Sequence, residues 1–167
     1  MQAQIKDNAS LLAQGLALLS TLSNEGFAAL SPLGASVGGH FRHVIDFYSC
    51  FLRGLESSSI DYDLRDRDSD VESNLDSCKE AIQQLLRALS MISVPPNSVI
   101  TVKAEASVPA LFANSTVARE MQFLSAHTIH HFALISYVLT ERGFSVPPGF
   151  GVAPSTLAHL RTESLAG

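Results

Sequence analysis

Six histidines are spread unevenly along the 167 residues, and three of them fall in one short run, His127-Thr128-Ile129-His130-His131. Residues four apart on an α-helix share a face, with Cβ atoms about 5–6 Å apart. His127 and His131 can therefore each give one ring nitrogen to a single divalent ion at roughly 2.0–2.1 Å. A third ligand must come from another element, and His40 and His43, one helical turn apart earlier in the chain, both offer one. Three imidazoles on two helices leave coordination positions open for water or another ligand, which is what separates a reactive ion from a structural one. The plainer alternative is a set of hydrogen-bonded core histidines. It weakens because burying an unpartnered polar ring is costly and five of the six rings fall on helices with another histidine one turn away.

Two acids lie in register with these rings. Glu120 precedes His127 by seven residues, two turns along the same face, where it can orient a ligand imidazole or act as a base toward bound water. An acid near a helix start is also favoured by the helix dipole without any such role. Asp46 follows His43 by three residues and can accept its second ring N–H. Thr128 stands where a His-Glu-x-x-His protease carries its glutamate, which argues against that chemistry. His159 reads as a surface residue. The sequence contains no Gly-x-Ser-x-Gly elbow, no phosphate-binding Gly-Lys-Ser/Thr loop and no dinucleotide fingerprint.

The elements that must position these groups are helical. Ile5, Leu12, Leu16, Leu19 and Leu22 mark a first helix that breaks at Asn24-Glu25-Gly26. Val37, Phe41, Val44, Tyr48, Phe51 and Leu55 mark a second, from about residue 32 to residue 55. Gly38-Gly39 inside it is costly in propensity and points to close packing against a neighbour. Val71, Leu75, Cys78, Ile82, Leu85, Leu89 and Ile92 predict one continuous third helix that stops before Pro95-Pro96. A fourth opens at Asn114 or Ser115 as cap and ends near Arg142, with Gly143 as the stop. Between the third and fourth, the runs 99–104 and 108–112 fit two short strands or an extended loop. The segment Asp61 to Asp70 alternates acids and arginines; it predicts a solvated, partly self-paired connection, or else a charged rim over a pocket mouth. The Pro147–Pro154 stretch is a loop, with a short terminal helix capped by Ser155 after it.

Composition bounds the rest. A 46% hydrophobic chain with 7 Pro and 10 Gly builds its own core as a single domain spanning residues 1–167. A net charge of −5 with scattered Lys and Arg gives no phosphate-tracking stripe, so nucleic acid is not expected as a partner. Cys50 and Cys78 sit in apolar helical patterns and read as buried free thiols of a reducing compartment. No run of eighteen apolar residues and no leader pattern appears, so the expected protein is soluble and cytoplasmic, with no membrane association.

The stretch Ala35-Ser-Val-Gly-Gly-His-Phe-Arg-His-Val-Ile-Asp46 resembles the first motif of the DinB/YfiT-like superfamily, in which a histidine is followed three residues later by an acid. Residues 127–131 resemble its second motif, with ligands at the first and last positions. The resemblance covers nearly the whole chain. It implies an all-α, up-down-down-up four-helix bundle, to which the 99–104 and 108–112 runs would add a short β-hairpin between helices three and four. It also implies a divalent transition metal, zinc or nickel, on His43, His127 and His131, and a homodimer. By the same resemblance the expected activity is a metal-dependent hydrolase acting on a small-molecule substrate, with Glu120 or Asp46 assisting the water. The alternatives are thiol S-transfer on the same ion, with Arg42, Arg65 and Arg67 as candidate cations, or a non-catalytic metal-binding or interaction bundle. His40 beside His43 departs from the usual pattern.

Overall fold

The computed structural model describes residues 2–32, 34–104 and 106–166. Among these the chain is mostly helical, with α1 (Gln2–Thr21), α2 (Asn24–Phe27), α3 (Val37–Ser57), α4 (Ser69–Ser73), α5 (Leu75–Ser90), α6 (Val117–Glu141) and α7 (Pro154–Ala166). Three strands, β1 (Ser59–Ile60), β2 (Val99–Lys103) and β3 (Phe112–Thr116), form one small sheet in the order β1-β2-β3. Helices α1 and α3 each pack against both α5 and α6. The space between them holds one core, in which Leu12, Leu18, Leu19, Phe41, Tyr48, Phe51, Ile82, Leu89, Met121 and Phe132 are almost completely buried.

Four local choices differ from the periodicity. The second helix starts at Val37, not near residue 32, because Ser36 takes an extended conformation and its Oγ accepts from the Gly39 amide at 2.8 Å. The expected third helix is two, α4 and α5, because Asn74 leaves helical geometry to cap α5. Its Oδ1 accepts from the Asp76 and Ser77 amides at 2.9 and 3.1 Å, which satisfies two of the donors a helix start leaves open. The fourth helix opens after Thr116. Asn114 and Ser115, the expected caps, are instead paired with Thr101 and Ile100 in the sheet, and Thr116 Oγ1 accepts from the Arg119 amide at 3.2 Å. The hairpin does form, but its second strand lies at Phe112–Thr116, with the 108–111 run in the connecting loop. The two-residue strand β1, parallel to β2, and the single turn of α2 carry too little pattern to be seen in the sequence.

A polar chain crosses the core. Tyr48 Oη on α3 donates to Asn8 Oδ1 on α1 at 2.7 Å, and Asn8 Nδ2 donates to the Met121 carbonyl of α6 at 3.2 Å. Thr128 Oγ1 donates to the Leu124 carbonyl at 2.7 Å and lies 3.3 Å from Tyr48 Oη. Each polar group of this chain of contacts thus has a partner, as burial demands, and α1, α3 and α6 are tied in one register. Cys50 and Cys78 are free and buried. No helix among the described residues is long and apolar enough to cross a membrane.

The first of the paired glycines, Gly38, is explained by α4. A Cβ at Gly38 would run into the Glu72 backbone carbonyl and lie 2.8 Å from the Phe27 ring, whereas one at Gly39 would meet only the movable side chains of Ser36 and Glu72, at 3.2 and 3.4 Å. Overpacking of about 1–3 kcal/mol set against about 1 kcal/mol of helix propensity predicts that Gly38→Ala lowers stability by up to about 2 kcal/mol. Gly39→Ala should stay within about 0.5 kcal/mol of the parent. Urea midpoints at unchanged m-value check the pair; equal losses would show that the approach of α4 is not the cause.

Candidate functional site

The seam between α3 and α6 carries two adjacent stripes. Val37, Phe41, Val44 and Tyr48 on α3, with Leu124, Thr128, Phe132 and Ile135 on α6, turn into the core. One step round each helix, His40, His43 and Phe47 face Phe123, His127 and His131. The ring centroids of His43, His127 and His131 are 4.5–5.0 Å apart. Each of these three rings offers one nitrogen, and the three nitrogens lie within 4.8 Å of one another. A tetrahedral ion with metal–nitrogen bonds near 2.05 Å needs nitrogens about 3.3 Å apart, so small ring rotations would complete the set. All three are half-buried, which leaves a solvent side.

Two observations fit a cation here. His127 Nε2 is buried and has no hydrogen-bond partner, an arrangement that is unfavourable unless something coordinates it. All three rings are also held neutral, the state in which imidazole ligates. Burial, followed by His127, Arg65 and Arg42, lowers the His43 pKa to about 4. Burial, then His130 and Arg65, brings His127 to about 4; burial, then His43 and His127, brings His131 to about 2.

His40 lies beside the three rather than among them. Its Nδ1 is 3.1 Å from His131 Nδ1. His130, on the exposed face of α6, meets His131 edge-on at 5.2 Å. His159 is far along the chain on α7 and exposed. The two acids are engaged elsewhere. The Asp46 carboxylate is buried and bound by Arg42 Nη1 at 2.9 Å, and Arg42 Nε also reaches Glu72 at 3.1 Å. Glu120 is buried, accepting from Tyr62 Oη at 2.9 Å and from Ser115 Oγ at 2.6 Å. Burial and Glu120 push the Tyr62 phenol well above its ordinary range, so it stays the donor.

The sequence reading did not identify the aromatic wall. His127 is stacked by Phe47 at 4.2 Å and by Phe123 at 5.5 Å, and Tyr62 stacks on Phe47 at 5.0 Å. Phe123 and Phe47 stand one turn from His127 and His43, a spacing that was there to be read. Beyond this wall lies a cavity of about 410 Å³ lined by Phe47, Tyr62, Lys103, Arg119, Glu120 and Phe123. A larger hollow of about 650 Å³ between α1, α6 and the start of α7 has no histidine in its lining. The 61–70 segment pairs across to other elements more than with itself. Lys103 binds Asp61 and Asp63 at 3.0 Å each, Arg53 binds Asp66, and the Arg65 guanidinium sits over Phe47 at 5.2 Å. The 147–154 loop seats Phe150 on Phe132 at 4.6 Å and borders a cavity with Gln14 and Ala17 of α1.

No family model matches the chain. A curated relative from Rhizopus delemar, named FK506-binding protein 5, is 36% identical over 108 residues. The match takes in 62% of this chain and 28% of the relative, so the chain spans well under a third of that protein's length. This finding corrects the DinB/YfiT resemblance, and with it the hydrolase expected from that resemblance. The two histidine motifs are a handful of positions at ordinary helical spacings, which unrelated helical proteins can share. The relative aligns with this chain over 108 residues at 36% identity, and its own name is that of an FK506-binding protein.

Neutral rings in the folded chain make stability depend on pH. Between pH 6.5 and about 4 the unfolded histidines bind protons that the folded ones refuse, so stability is level above that window and falls as pH drops through it. Urea midpoints of metal-free protein at pH 7.5, 6.5 and 5.5 should decline at the acid end. His127→Leu should flatten the decline; an identical slope in that variant would show that the cluster is not its source.

Proposed function

We propose that this chain is a divalent-transition-metal-binding helical domain, with His43, His127 and His131 as the protein ligands and zinc or nickel as the ion. The observation that carries the reading is the convergence of one nitrogen from each of these half-buried rings within 4.8 Å. Soft-to-borderline imidazole donors suit zinc and nickel over calcium or magnesium. The pairwise packing of α1, α3, α5 and α6 supports a four-helix bundle as the frame, with the ion on the α3–α6 seam. When bound, the ion would supply a Lewis-acidic centre with positions left for an external ligand. The protein's own part is to keep the imidazoles neutral and to wall one side with Phe47 and Phe123. Glu120 and Asp46 hold the surrounding elements together through Tyr62, Ser115 and Arg42.

The relative's name favours a second reading, in which the chain takes part in binding FK506 or a ligand like it. The cavity behind Phe47 and Phe123, with three aromatic side chains in its wall, is where an apolar ligand of that kind would make contact.

Tag-free protein stripped of metal and titrated with Zn²⁺ and Ni²⁺ tests the first reading. About one equivalent should bind, and the melting temperature should rise with free metal as linkage requires. His43→Ala and His127→Ala should each lose most of the bound ion, while His159→Ala should keep it. Uptake below about a tenth of an equivalent, with melting unmoved, would sink the reading. Calorimetric titration with FK506 tests the second. Saturable heat that disappears in Phe123→Ala would support it, and no heat at any attainable concentration would remove it.

A further inference from the structure

His40 is half of a pair. Its Nδ1 faces the Nδ1 of His131 at 3.1 Å, with the rings 5.3 Å apart and tilted by 46°. Two imidazole nitrogens at that distance share one proton: one ring donates and the other accepts. A neutral imidazole has one N–H, so the donor at Nδ1 must carry a bare lone pair at Nε2, and the acceptor at Nδ1 must carry its own N–H at Nε2. The pair therefore has two states. With the proton on His131 Nδ1, His131 Nε2 is free to ligate and His40 Nε2 is an N–H. With the proton on His40 Nδ1, His131 Nε2 is blocked and His40 Nε2 holds the lone pair.

We propose that His40 is the positioning residue of the metal site: it accepts the His131 Nδ1 proton, fixes His131 in the tautomer whose Nε2 faces the ion, and is not itself a ligand. This rests on the metal-binding reading. The surroundings favour this assignment. His40 is not part of the set of rings whose nitrogens converge, although it is the more buried neighbour at 8% exposure. Nothing else in the described hydrogen bonding engages His131 Nδ1, and the acids that usually orient ligand histidines are committed to other partners, Asp46 to Arg42 and Glu120 to Tyr62 and Ser115. A ligand imidazole almost always gives its second N–H to an acceptor, and here a second imidazole fills that role. On this assignment His40 carries its own N–H at Nε2, a buried atom with no hydrogen-bond partner. The second histidine of α3 thus has a purpose distinct from the first.

The test separates this inference from the one beneath it. Affinities for Zn²⁺ are measured by competition with a chromophoric chelator for the parent, His40→Gln and His40→Phe. Loss of an outer partner of a ligand histidine lowers affinity about 10–100-fold, so His40→Phe should weaken binding by that factor and keep one equivalent at saturation. His40→Gln, whose amide oxygen can accept from Nδ1, should recover most of the loss. Long-range ¹H–¹⁵N NMR of zinc-loaded parent protein should show His131 protonated at Nδ1 and coordinated through Nε2. If the parent binds no zinc, the metal reading fails. If it binds and His40→Phe matches it, or His131 is coordinated through Nδ1, the positioning role is overturned while the metal site stands. Loss of a whole equivalent in His40→Phe with intact melting would make His40 a ligand and equally overturn it.

Discussion

The packing of α3 against α6 governs the rest. Phe41 and Phe132 meet at 5.7 Å, and Tyr48 and Thr128 meet at 3.3 Å, on the core side of the seam. The imidazoles stand one step round the same helices. An aromatic pair and a buried hydroxyl contact of this kind leave little freedom in the axial register of two helices. Once that register is set, His43 has no choice but to face His127 and His131. The neutrality of the rings follows from the same packing: desolvation is the largest cause of the lowered pKa in each of the three. A looser seam would let water in and return the rings toward ordinary histidines, which repel one another when protonated.

The small sheet matters through what it carries. Strand β1 is held against β2 at Ser59–Thr101 and Ile60–Val102, and Ile60 is fully buried against α3. This fixes the start of the 61–66 segment, so that Tyr62 reaches across to Glu120 on α6 and stacks on Phe47. Lys103, at the end of β2, then binds both Asp61 and Asp63. A segment that reads as a solvated linker is in this way folded over one wall of the histidine cluster. A buried carboxylate with two hydroxyl donors, as at Glu120, is a stable arrangement where an unpartnered one would not be. Glu120 thus holds Tyr62 and Ser115 in place.

Legibility in the sequence followed interaction range. Helices with many periodic apolar positions, α1, α3, α5 and α6, were visible because their burial repeats every three or four residues. The face shared by His127 and His131 was visible for the same reason. The boundaries failed where a single polar side chain chose between two hydrogen-bonding roles. Asn74 could continue a helix or cap one; Ser115 could cap α6 or pair in β3 and bond Glu120. Spacing alone left the α3 histidine open between His40 and His43, since both lie one turn apart on the same helix. What distinguishes them is which ring already has a partner, and His40 has His131. Contacts such as Tyr62–Glu120 span 58 residues and leave no local trace at all.

The corrected resemblance shows how far a site-sized motif can carry. A histidine, an acid three residues on, and two histidines four apart are few constraints, and a helix imposes the spacings for reasons of its own. Over 108 residues the chain aligns with a protein named for binding FK506, and no hydrolytic chemistry accompanies that name. The convergent imidazoles do not depend on either name. Their nitrogens are brought together by packing, the rings are kept neutral by burial, and His127 is left with an orphaned Nε2; each of these is a property of this chain's own residues. The buried, unpartnered Nε2 of His127 is unfavourable in the folded state unless something satisfies it. A bound ion would satisfy that nitrogen directly.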